Sequence, residues 1–147
     1  MPRRLLLLNG PNLNLLGFRE PERYGTTTLA EIEDTVTKAA ADHDLAVRAL
    51  QSNHEGVLID ALHEARTTCA AVIFNPGALA HTSIALRDAV SAVSLPTVEV
   101  HITNIHRREP FRHHSYIAEV ADAVIAGAGP LGYVLAVTYL AQTLERA

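Results

Sequence analysis

Five short apolar runs, each halted by polar or turn-forming residues and each followed by a longer polar or helical stretch, constrain this chain more than any other feature. Leu5–Leu8 stops at Asn9-Gly10-Pro11-Asn12. Leu45 to Leu50 stops at Gln51-Ser52-Asn53-His54-Glu55-Gly56, and Ala70 to Phe74 at Asn75-Pro76-Gly77. Thr97–His101 leads into a long polar loop to Ser115, and Ala123–Ala126 into a glycine-rich turn. Continuous runs of this length suit strands buried on both faces. Between them, apolar residues recur at helical intervals. Thr28-Leu29-Ala30-Glu31 has capping-box spacing, and Leu29, Ile32, Val36 and Ala40 carry a helix to about Asp42. Leu58, Leu62 and Ala65 mark a second helix, Ser83 to Val93 a third, and Leu131 to about Leu144 a closing one.

Such alternation predicts an α/β fold with a five-stranded parallel sheet, right-handed crossovers and helices on both faces. At ~100–200 residues per domain, residues 1–147 read as a single domain. Ligands in such sheets sit outside the carboxyl ends of the strands, so the loops after Leu8, Leu50, Phe74, His101 and Ala126 should carry the chemistry.

Several function classes are disfavoured by what the chain lacks. A net charge of −4 argues against a general nucleic-acid binder. The single cysteine, Cys69, rules out a disulfide framework and a thiolate metal cluster. Of the 12 basic residues only Lys38 is a lysine, and no glycine precedes it, so imine chemistry and P-loop phosphate binding both lack their residue. The Leu5–Leu8 run is shorter than the ~7–15 residues of a signal-peptide core. No stretch reaches the ~20 apolar residues of a membrane span, and a cytoplasmic protein is expected.

The residues from Asn9 to Thr27 show no clear period, and a loop that long inside a domain is usually functional. It holds Asn12, Asn14, Arg19, Arg23 and Tyr24. Taken singly, each fits a solvated loop. Arg19 and Tyr24 together suggest more. Ionising a tyrosine of ordinary pKa ~10 at neutral pH costs about 4 kcal/mol unless cations stabilise the anion, which a nearby arginine does. In the loop after the third strand, Pro76 and Gly77 account for the turn and Ser83 for a helix cap. Asn75 at the strand tip and His81 remain as substrate hydrogen-bonders.

Glu99 and His101 alternate along the fourth strand and so share a face of the sheet. A carboxylate beside an imidazole fixes its tautomer and favours its charged form, the arrangement of a general acid, although a strand-end ion pair gives the same pattern. Between 101 and 114 lie four of the eight histidines and the arginines Arg107, Arg108 and Arg112. The histidine spacing matches no metal motif and the arginines disfavour a cation, so no metal is expected. Aromatic platforms for nucleic acid are missing. An anion pocket for a small carboxylate fits best, because an arginine fork pairs with a carboxylate bidentately. Gly127-Ala128-Gly129-Pro130-Leu131-Gly132 spells a dinucleotide fingerprint, but only 15 residues follow it, too few for the second strand and acidic ribose ligand. The glycines instead suit a tight turn and close helix packing. With no Gly-x-Ser-x-Gly elbow and Cys69 placed just before a buried strand, nucleophilic catalysis has no agent.

Taken together, the blocks Asn9–Gly17, Arg19 with Tyr24-Gly25, Gln51–Gly56, Asn75–Ala78, His81–Ser83, Glu99–His101, Arg108–Arg112 with Ser115, Gly127–Gly129 and Gly132-Tyr133 cover nearly the whole chain. In these the chain resembles the type II 3-dehydroquinate dehydratases. Thr103 stands where that family commonly has serine, which keeps a hydroxyl and a backbone N–H. The resemblance implies a flavodoxin-like fold and a dodecamer built of trimers. It also implies the reversible anti elimination of water from 3-dehydroquinate to 3-dehydroshikimate through an enolate, in the shikimate pathway, with no metal, cofactor or imine. Carried over by position, Tyr24 is the base that removes the C2 proton, activated by Arg19. His101 protonates the departing C1 hydroxyl and is oriented by Glu99, and Asn12 helps hold a water against the enolate oxygen. Asn75, His81, Arg112 and the backbone of Ile102 and Thr103 bind substrate, and Asp88 reaches a neighbouring subunit's substrate. Residues from about Arg19 to Tyr24 form a lid, with Arg108 closing from the other side. The competing reading is a flavodoxin-like module that holds a small anion or nucleotide without turnover.

Overall fold

In the computed structural model, which describes residues 3–146, the Leu5–Leu8 run lies within strand β1 (Arg3–Asn9). The domain expected over 1–147 also takes in Met1, Pro2 and Ala147, which lie outside the described residues. β2 is Leu45–Gln51, β3 Ala71–Asn75, β4 Thr97–His101 and β5 Ala123–Ala126, paired in parallel in the order β2-β1-β3-β4-β5. This is the flavodoxin-like α/β arrangement. The chain leaves β1 towards β2 on one side and returns to β3 on the other, so the strand order reverses between β1 and β3.

A continuous apolar run is needed because the central strands are buried on both faces. Leu5, Leu7, Ala71, Ile73, Val98 and Val100 point into a core closed by α2 (Leu29–Ala41) and α5 (Leu131–Arg146). Leu6, Leu8, Val72 and Phe74 point into the opposite core, closed by α3 (Glu55–Thr68) and α4 (Ile84–Val93). Side chains of successive strand residues alternate between the two. The capping box of α2 forms as expected, with Thr28 and Glu31 bonding each other's backbone N–H. Ser83 caps α4 by accepting from the Leu86 N–H.

Several segments differ from the expectation, the loops after β3 and β4 by 3-10 turns at Gly77–His81, Ile105–Arg107 and Pro110–Arg112. The Asn9–Thr27 loop contains a 3-10 turn, Leu13–Leu15, and a single-turn helix, α1 (Pro21–Tyr24), opened by Pro21. Both are too short to display a period in sequence. Helix α3 already begins at Glu55, so Glu55 and Gly56 belong to its first turn rather than to the preceding polar turn. A glutamate there suits the positive end of the helix, and its carboxylate also accepts from the Ser83 hydroxyl.

The tips of β1 and β3 are fastened together at Gly10, whose N–H donates to the Asn75 carbonyl at 2.8 Å. A Cβ built there would meet the Pro76 carbonyl oxygen at 2.4 Å, backbone that cannot yield cheaply. Gly10→Ala is therefore expected to cost about 1–3 kcal/mol by forced displacement. Urea unfolding measures this; an unchanged midpoint would show that the two loops are not held in this way.

Candidate active site

Ten of the twelve residues singled out from sequence line one cavity of about 170 Å³ above the carboxyl ends of β1, β3 and β4. They are Asn12, Arg19, Tyr24, Asn75, His81, His101, Ile102, Thr103, Arg108 and Arg112. The cavity sits by the strand-order reversal, where an open α/β sheet leaves room for a ligand.

The first loop is shaped from below. Asn12 takes a left-handed conformation, φ 70°, and its N–H donates to Asn53 Oδ1 at 2.9 Å. Gln51 Nε2 donates to the Gly10 carbonyl at 3.1 Å and to Asn53 Oδ1 at 3.2 Å. The polar turn after β2 thus braces the loop and does not line the cavity. Leu13 and Leu16 anchor the loop in the core. Beyond them Glu20, also left-handed at φ 41°, lies within 3.6 Å of Arg19 and 3.4 Å of Arg23.

Tyr24 packs its ring against the core, and two guanidinium groups flank it. Arg19 Cζ lies 4.8 Å from the ring centroid and Arg108 Cζ 5.5 Å. Among the described residues only Arg108 bonds the hydroxyl: its Nη1–H donates to the Tyr24 oxygen at 2.8 Å and reaches Thr103 Oγ1 at 3.4 Å. Arg108 thus reaches the phenol oxygen, and Arg19 lies over the ring face.

On the fourth strand, Glu99 and His101 share a face as expected, and His101 Nε2 donates to Glu99 Oε2 at 2.5 Å. Glu99 is fully buried behind the imidazole and also accepts from the Ser115 hydroxyl at 2.7 Å. This leaves Nδ1 as the ring atom of His101 available to a ligand. The His81 ring stacks on that of His101, centroids 6.2 Å apart. His81 Nδ1–H donates to the His114 carbonyl at 2.8 Å, and burial holds the imidazole below the usual histidine range, with the charges of His101 and Arg112 adding to the effect. A neutral His81 keeps an unprotonated Nε2 as an acceptor.

That depressed proton affinity has a stability consequence. Below the ordinary histidine range of ~6.5 the unfolded chain binds a proton that folded His81 resists, so His81 adds a loss of stability as pH falls through that window. His81→Gln is expected to flatten the acid side of the stability profile, as read by thermal unfolding against pH. An unchanged slope would mean that folded His81 titrates like a free imidazole.

Arg112 donates through Nε to both carboxylate oxygens of Glu109 at 3.2 Å, and among the described residues its two terminal nitrogens have no partner. They form a fork suited to a carboxylate. Its own backbone N–H and then Arg112 hold the Glu109 carboxyl below the usual range, keeping it ionised. The rest of the histidine–arginine cluster is scaffold or surface. His113 Nε2 donates to the Arg108 carbonyl at 3.0 Å, His114 pairs with Glu119 at 3.4 Å, and Arg107 lies outside the cavity. Among the described residues no group of histidine, cysteine or acidic side chains could hold a metal ion.

Asp88 is not part of this cavity: it lies exposed on α4, 3.5 Å from Arg87. The glycine-rich turn is not a phosphate cradle either. Gly127 N–H donates to the His101 carbonyl at 3.2 Å and Gly129 N–H to that of Ile102 at 3.0 Å. Gly127 needs its positive φ, +91°, and a Cβ there would press on Asn104 at 3.0 Å. These glycines hold the tip of β4 in place. Sequence reasoning gave no role to Leu13, Ala78 and Ile105, which also line the cavity, nor to Asn9 and Tyr133 beneath it. Asn9 was legible only as a polar strand end.

The Dehydroquinase class II family model matches residues 3–141. The "3-dehydroquinate dehydratase" of Corynebacterium glutamicum is 62% identical over 141 residues, 96% of this chain and 97% of that protein. The "Catabolic 3-dehydroquinase 2" of Aspergillus flavus is 59% identical over 140 residues, 95% of this chain and 93% of that protein. The crystal structure of the type II dehydroquinase from Propionibacterium acnes superposes with a TM-score of 0.92 at 40% identity, covering 97% of this chain and 98% of that one. With the match running almost from end to end, the chain belongs to the class II dehydroquinase family.

Proposed function

We propose that this chain is a 3-dehydroquinate dehydratase, a hydro-lyase of the shikimate pathway that works without metal, cofactor or imine. The observation that carries this reading is a phenol set between two guanidinium groups in the same cavity as an imidazole backed by a buried carboxylate. Arg19 and Arg108 flank the Tyr24 ring, and the hydroxyl oxygen that Arg108 bonds is the atom placed to take a proton. Tyr24 removes the C2 proton and the electron pair moves into the adjacent carbonyl as an enolate. On collapse, the C1–oxygen bond breaks and His101, oriented by Glu99, supplies the proton that lets the hydroxyl leave as water. Asn12 holds a water against the enolate oxygen. Arg112 takes the carboxylate, and Asn75, His81 and the Ile102–Thr103 backbone take the hydroxyls. A module that only held an anion would have no use for a paired base and acid.

The assembly belongs to the same proposal: trimers forming a dodecamer, in which Asp88 serves a neighbouring subunit's cavity. Its exposed position on α4, beside the exposed apolar Ile84, supports that role. A cytoplasmic location completes the reading; no described helix is long and apolar enough to cross a membrane.

Adding 3-dehydroquinate and following ultraviolet absorbance tests the function, because the product carries a conjugated enone-carboxylate. Growth of that band supports the hydro-lyase; a flat trace from folded protein that still binds the compound would leave the binding module. Arg112→Ala is expected to raise KM about ten- to hundredfold, the range of one or two charge-assisted hydrogen bonds, with a smaller change in kcat. An unchanged KM would remove the carboxylate role.

A further inference from the structure

Asn75, one of the cavity residues, is held from beneath by two buried side chains, Tyr133 and then Asn9, that the catalytic scheme does not use. Tyr133, in the first turn of α5, is fully buried. Its hydroxyl accepts from Asn75 Nδ2 at 2.8 Å and donates to Asn9 Oδ1 at 2.7 Å. Asn75 Oδ1 in turn accepts from the Gly77 N–H at 3.1 Å. Asn9 is fully buried, and among the described residues its Nδ2 has no partner.

The direction of these bonds is set by the backbone. The Gly77 N–H can only donate, so Asn75 must turn its oxygen to it and its nitrogen towards Tyr133. Tyr133 then has to accept, and its own proton has one place to go, Asn9 Oδ1. Reversing the chain would set the Asn75 amide nitrogen against the Gly77 N–H. We infer that Tyr133 is a positioning residue for the dehydration: through its hydroxyl it fixes which end of the Asn75 amide faces the substrate, leaving one N–H of Asn75 as the donor to a substrate oxygen. Burial pushes the Tyr133 phenol well above the ordinary tyrosine range, so it stays protonated and keeps donating to Asn9. The orphaned Asn9 Nδ2 is the cost of that polarity, since flipping Asn9 would set its amide hydrogens against the phenol proton.

This inference rests on the proposed dehydration, and a thermodynamic cycle separates the two. Wild type, Tyr133→Phe, Asn75→Ala and the double variant are assayed with 3-dehydroquinate, and folding is checked by circular dichroism. Tyr133→Phe is expected to lower kcat/KM about tenfold, the scale of one lost hydrogen bond, and to have no further effect once Asn75 is alanine. A Tyr133→Phe enzyme equal to wild type, or a loss that persists undiminished in the Asn75→Ala background, overturns the inference while leaving the function intact. Absence of turnover in wild type instead overturns the function. Should Tyr133→Phe not fold, Asn9→Leu is the substitute. It removes the acceptor and lets the phenol proton turn on Asn75, so the same Asn75-dependent loss is expected, and an Asn75-independent one overturns the inference.

Discussion

Tyr24→Phe is expected to lower kcat about 10²- to 10⁴-fold, the range over which a positioned base contributes, while binding of 3-dehydroquinate changes little. The phenylalanine ring keeps the packing that Tyr24 makes against the core, and Arg112, His81 and Asn75 do not depend on it. Arg19 keeps an aromatic face beneath it. Arg108 loses the hydroxyl it now bonds at 2.8 Å but retains Thr103 Oγ1. What disappears is the phenol oxygen that Arg108 bonds. Steady-state kinetics with a direct binding measurement separates the two effects. Near-normal kcat would mean that another group takes the C2 proton.

Glu99→Gln has the next largest expected effect, a fall in kcat of about 10²-fold or more, with the variant folded and KM close to wild type. Glutamine fills the same volume and can still meet Ser115 and His101, which guards against loss of the fold. It no longer supplies negative charge to the imidazole that, in the proposed mechanism, carries a proton to the leaving hydroxyl. Glu99 is fully buried, so little solvent screens that loss. Alanine is the poorer test, because it would leave both the Ser115 hydroxyl and His101 Nε2 without their buried partner. A kcat within about threefold of wild type, far below what a general acid contributes, would show that His101 does not depend on Glu99.

Much of this is readable in the amino-acid sequence. Two-sided burial writes itself into sequence as unbroken apolar runs, which is why β1 and β3 were placed to within about two residues at either end. Strand alternation alone put Glu99 and His101 on one face. The parallel sheet then fixed which loops carry chemistry, and those loops supplied most of the cavity. The helix α1 was hidden because one turn has no period to detect. The polar turn at Gln51–Gly56 looked like a ligand loop and is instead a brace, because side-chain composition does not say which way a loop faces.

The boundary lies between local and distant causes. Short-range sterics, capping and burial periodicity act within a few residues, so the chain's own order determined the strands, most helices, the fold class and the candidate loops. Meetings across the chain obey no such period. Arg108 bonds the Tyr24 hydroxyl over a separation of 84 residues, and Tyr133 reaches Asn75 over 58. Asp88, on a helix that packs against the sheet, is exposed and does not line the cavity. Only the strand order, the path of each loop over the strand tips and the backbone N–H of Gly77 decided those contacts, because each depends on where two separately folded segments are brought to rest.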